Sequence, residues 1–93
     1  MKKTNLNDSA LEKIKHIHDL STKKNSNNHT EKLLSMIEHH IDEIKQLIND
    51  KDPHAITETG DLIILCMELI LEKNGCVDST LSKCFKRFQD KLT

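Results

Sequence analysis

Aromatic residues are almost missing from this sequence, which has no tryptophan, no tyrosine and only Phe85 and Phe88. A core must therefore be built from leucine, isoleucine and methionine, and no aromatic is placed to stack on a nucleobase. An excess of charge is missing too. Lysine and arginine number 14 against 15 for aspartate and glutamate, a net charge of −1, so no global basic field draws the chain to a nucleic-acid polymer or an acidic membrane. Only local basic patches stay open. The three cysteines, Cys66, Cys76 and Cys84, include no CxxC pair and no Cys/His spacing of a zinc site, which leaves reduced thiols as the plain reading. The apolar run from Leu62 to Leu71 is too short to cross a bilayer, and residues 1–20 lack the continuous apolar core of a signal peptide. A cytoplasmic protein with no membrane partner is the expectation.

What is present is helical periodicity. Ser9 with Glu12 three residues on has the form of a capping box, and Leu11, Ile14, Ile17 and Leu20 follow at nearly helical spacing. Residues 21–29 hold no apolar side chain and read as a solvated loop. Thr30 is expected to cap a second helix whose buried face is Leu33, Ile37, Ile41, Ile44 and Ile48, ending near Asp50. Asp52 as N-cap with Pro53 in the first helical position starts a third helix, closed by Asn74 and Gly75. Asp78 is expected to cap a fourth, with Leu81, Phe85, Phe88 and Leu92 on one side. No repeat and no strand-like alternation accompanies them. The fold class is thus all-α, a four-helix bundle-like subunit forming one domain over 1–93, with an N-terminal helix and polar loop in 1–29 and core helices in 30–93.

The third helix differs from the rest. Between Leu62 and Leu71 only Glu68 is charged, so its apolar surface wraps most of the circumference and needs neighbours on several sides. A second copy of the chain, meeting it near Met67 and Leu71, supplies such a neighbour; the second and fourth helices covering it alone is the other reading. In front of this run stand Glu58 and Asp61, at i and i+3. Their carboxylates project from one face and can share a hard cation, or they can simply complement the positive end of the helix dipole. Opposite, in an antiparallel pair, comes "EHHIDEI", which crowds Glu38, His39, His40, Asp42 and Glu43 into two turns.

The stretch "EHHIDEIKQLINDKDPHAITETGDLIILCMELILEKNG" resembles the core of the MazG-like, all-α nucleoside triphosphate pyrophosphohydrolases, whose signature is ExxE, a spacer, then ExxD leading into an apolar helix. The ExxD appears as "ETGD", Glu58 to Asp61, and the resemblance covers about residues 30–90. It implies Mg²⁺ held by four acidic positions and hydrolysis of a nucleoside triphosphate to monophosphate and pyrophosphate. The direct alignment sets His39 and Asp42 with Glu58 and Asp61 as metal ligands, so the first motif reads HxxD. Glu38 then assists the water or completes the coordination. An imidazole in place of a carboxylate favours Mn²⁺ over Mg²⁺. A competing register puts Met36 and His39 on the motif.

Lys83 and Arg87 fall where the family often carries phosphate-binding cations, though a solvated basic face explains them equally. Lys24, with Lys23, Asn25 and Asn28, either closes over the nucleotide or belongs to a linker. His16, His18, His29 and His54 read as surface histidines, His40 as a satisfied half-buried side chain, and Cys84 as packing. Family resemblance further implies a homodimer or homotetramer. Beside a hydrolase, two other classes stay open: an inactive relative that binds nucleotide or a partner, and a small helical assembly module.

Overall fold

The computed structural model describes residues 8–24 and 28–93, and these form four α-helices and no strand: α1 (Asp8–Lys24), α2 (His29–Asn49), α3 (His54–Glu72) and α4 (Val77–Leu92). α2 and α3 form an antiparallel hairpin that carries most of the tertiary packing. α1 lies on α3 and scarcely touches α2, while α4 meets α3 only near their shared turn.

Both inner helix ends close in the same way. At the end of α2, Lys51 has φ 57, with its N–H on the Ile48 carbonyl and the Asp52 N–H on that of Leu47. At the end of α3, Asn74 has φ 62, with its N–H on Leu71 and the Gly75 N–H on Ile70. These are Schellman motifs, which satisfy carbonyls the helix leaves free. Gly75 is not left-handed. It is small because a Cβ there would meet Ile70 Cγ2 at 2.8 Å and the Ile70 carbonyl oxygen at 3.1 Å.

Several helix starts differ from expectation. α1 begins at Asp8, so Ser9 sits inside the first turn, and the helix runs to Lys24 instead of stopping at residue 20. Lys23 and Lys24 in the last turn suit the negative end of the helix dipole and favour the extension, and Thr22 Oγ1 donates back to the His18 carbonyl there. Thr30 does not cap α2. That position belongs to Asn28, and the Thr30 hydroxyl donates to Glu72 Oε2 at 3.1 Å. α4 is capped at Cys76, with Asp78 in its first turn. Asp52 keeps its expected part, accepting the His54 N–H at 2.9 Å, although Pro53 takes the boundary position.

The core lies where α1, the end of α3 and the start of α4 meet: Ile14, Met67 and Val77, flanked by Leu11, Ile70, Leu71 and Leu81. Leu33, with no exposed surface, and Leu65 are also buried. Met67 and Leu71 are thus packed within one chain, not held out for a second copy. The uncovered apolar surface lies elsewhere. Ile48, Ile56 and Ile63 are 63%, 78% and 51% exposed around the start of α3, and Phe85, Phe88 and Leu92 stand out on α4. The molecule is broad and thin, 42 × 41 × 22 Å, with a radius of gyration of 14.8 Å against about 12 Å for a compact chain of this length.

Candidate metal centre

The first turns of α3 are phased by Asp52 and Pro53, and that phase sets the next acceptors. Four residues separate His54 from Glu58, one turn, and His54 Nε2 lies 3.4 Å from Glu58 Oε1. Three more residues reach Asp61. Across the hairpin, His40 of α2 brings Nε2 to 3.4 Å from Glu58 Oε2. His40, Glu58 and Asp61 each offer one donor atom within 4.8 Å of the others, His40 and Glu58 half-buried and Asp61 exposed.

The orientation of His40 is fixed from behind. Its Nδ1 lies 2.9 Å from the Met36 carbonyl oxygen, and since a carbonyl only accepts, Nδ1 carries the hydrogen. In the neutral ring Nε2 then presents a lone pair toward two carboxylates. A cation shared by all three would suit that arrangement of one imidazole and two carboxylates. A backbone carbonyl behind the ring is the support that metal-binding histidines commonly have.

Beside this trio, Glu43, Gln46, Leu47, His54 and Glu58 line a shallow hollow between α2 and α3. His39 is exposed and serves Glu43, with Nε2 2.7 Å from Glu43 Oε1. Glu38 and Asp42 are exposed. Each lies two residues from His40, about 200° around the helix axis, on the far side of α2. Of the residues expected at the metal, the structure therefore brings Glu58 and Asp61 together and sets His40 against them, with Glu43 nearby. It does not bring His39, Asp42 or Glu38 there.

Lys83, Arg87 and Lys24 are exposed, and none lines the hollow; Asn25 lies outside the described residues. His16 is exposed as expected. His54 is tied to Glu58, and His18 and His29 are withdrawn from the surface, His29 to 5% exposure. All three cysteines are free. Partial burial pushes the Cys66 thiol up, whereas hydrogen bonds from the Ser79 backbone and side chain bring the Cys76 thiol down. Among the described residues no helix is long and apolar enough to cross a membrane. Compared with known proteins, the chain matches no family model, no curated sequence and no solved structure.

Proposed function

We propose that this chain is a divalent-metal-dependent hydrolase of nucleoside triphosphates, of the MazG-like kind, releasing pyrophosphate and a monophosphate. One observation carries the reading: the convergence of His40, Glu58 and Asp61 at the α2–α3 hairpin, where the ETGD resemblance puts its chemistry. The donor set fits a hard-to-borderline ion. Two carboxylates and one imidazole suit Mn²⁺ better than Mg²⁺, which prefers oxygen and strict octahedral order. A bound divalent ion supplies neutralisation of charge gathering on phosphate oxygens.

The chain's own groups do the rest. Nδ1–H of His40, held by Met36, keeps Nε2 directed at the carboxylates. Glu43, paired with His39, takes the water-orienting part expected of Glu38, because it lines the hollow with Glu58. A homodimer or homotetramer that covers Ile48, Ile56 and Ile63 belongs to the same reading. Free, partly exposed thiols suit the cytoplasm.

The test is release of pyrophosphate from deoxynucleoside triphosphates with Mn²⁺ or Mg²⁺. Turnover is expected to be faster with Mn²⁺ and abolished in Glu58→Gln and His40→Gln, with His39→Gln retaining most of it. No release with either metal removes the hydrolase reading. A second reading is favoured by the position of Lys83, Arg87 and Lys24, all exposed and away from the hollow: a relative that binds metal and nucleotide without turnover. Metal-dependent nucleotide binding without pyrophosphate release selects it.

A further inference from the structure

At the opposite end of α3 from Glu58, about 21 Å along the helix at 1.5 Å per residue, a second group of donors meets. His18 of α1, His29 at the first position of α2 and Glu72 at the last position of α3 each offer an atom within 4.8 Å of the others. His18 Nε2 lies 3.7 Å and His29 Nε2 3.9 Å from Glu72 Oε1. The two rings are 5.3 Å apart between centroids and tilted by 54°.

We propose that His18, His29 and Glu72 form a binding site for a divalent transition metal of the zinc class, clamping α1 to the α2–α3 hairpin. The buried imidazoles point to this ligand. His29 has both ring nitrogens buried without a hydrogen-bond partner, and His18 Nδ1 is in the same state. Folded proteins seldom leave such groups unpaired, because each forgoes the water it gave up. A cation seated among the three takes one lone pair from each imidazole and is balanced by the Glu72 carboxylate.

The dimensions and chemistry agree. Metal–donor bonds of about 2.0–2.1 Å in tetrahedral order put donors about 3.3 Å apart, so the Glu72 edges need close by only a few tenths of an ångström. His, His and Glu is a donor set that zinc takes. The Thr30 hydroxyl on Glu72 Oε2 fixes the carboxylate with Oε1 turned to the histidines, the outer support that tunes such ligands. The site also has a structural role to fill, since α1 and α2 are otherwise scarcely in contact.

The experiment is calorimetric titration of Zn²⁺ into the full chain carrying Cys66→Ser, Cys76→Ser and Cys84→Ser, to remove thiolates, together with Glu58→Gln and Asp61→Asn, to remove the other donor group. One Zn²⁺ per chain is expected in this background. Affinity should fall at least tenfold on adding His18→Gln or Glu72→Gln, and roughly 10–100-fold on adding Thr30→Val. Side-chain ¹⁵N spectra of the otherwise wild-type, cysteine-free chain guard against a variant that folds poorly: the His18 and His29 ring nitrogens should shift as Zn²⁺ is added to saturation. No binding in the Glu58→Gln, Asp61→Asn background, undiminished binding in His18→Gln, or stationary His18 and His29 resonances overturns the proposal. None of these readouts depends on nucleotide hydrolysis.

Discussion

Gly60 lies inside α3 and Gly75 just past its end, and replacing them should have opposite effects. A Cβ on Gly60 meets nothing within 4 Å, so Gly60→Ala removes a flexible residue from a helix interior and should stabilise the chain by about 1 kcal/mol. At Gly75 the same Cβ would strike Ile70, and Gly75→Ala should cost roughly 1–3 kcal/mol. Urea denaturation of the two variants checks the pair, and equal signs would undo the close approach of residue 75 to Ile70 at the α3 terminus. The cysteines make a similar contrast. The Cys76 thiol is brought down by Ser79 and the Cys66 thiol is pushed up by desolvation, so on raising pH the Cys76 thiolate forms first. Alkylation by iodoacetamide, followed by peptide mass spectrometry, should label Cys76 at a lower pH than Cys66.

Within the elements, the existence of the four helices was legible because apolar residues recurred at three and four and because Pro53, Asn74 and Gly75 punctuate the chain. The face of α2 was not. Leu33, Ile37, Ile41, Ile44 and Ile48 follow a helical spacing, but Ile41 and Ile48 are exposed while His40 and Leu47 are half-buried. The buried seam runs 33, 37, 40, 44, 47, a heptad spacing, and His40 occupies one of its positions. Because the stripe contains isoleucine on both sides of that seam, hydrophobicity alone could not choose between them. A polar residue inside the heptad was the signal for the candidate ligand. His18, His29 and Glu72 were illegible for another reason: they come from three helices, and only tertiary packing brings them together. The register has a consequence for stability. Asp61→Asn relieves repulsion between neighbouring carboxylates and should hold or raise stability without metal, while removing the stabilisation that Mn²⁺ confers, about 2.7 kcal/mol at a hundredfold excess over Kd for the intact site. Melting curves with and without Mn²⁺ measure both.

For the molecule as a whole, the uncovered isoleucines matter more than the buried core. The helices spread over a thin shape, and Ile48, Ile56 and Ile63 form an apolar hollow with Ala55, Thr59 and Gly60. A chain of 93 residues buries too little surface to leave such a face to water without consequence. The all-apolar run of α3 implies an uncovered side but gives it no phase, so the expected contact at Met67 and Leu71 is not where the exposed surface lies. The structure moves it to the opposite end. Sedimentation equilibrium should find a dimer or tetramer at micromolar concentration, and Ile56→Lys with Ile63→Lys should yield a folded monomer. Met67→Lys should instead unfold the chain, because it forces a charge into the single-chain core. A wild-type monomer removes the second copy from the account.

The claim on which the functional account rests is that His40, and not His39, faces Glu58 and Asp61 as a metal ligand. Counting free Mn²⁺ by electron paramagnetic resonance, in a Glu72→Gln background that disables the other donor group, tests it most directly. His40→Gln and Glu58→Gln should each weaken Mn²⁺ binding at least tenfold, and His39→Gln should leave it within about twofold. Equal binding by His40→Gln and the parent, or a loss on His39→Gln matching that on Glu58→Gln, contradicts it.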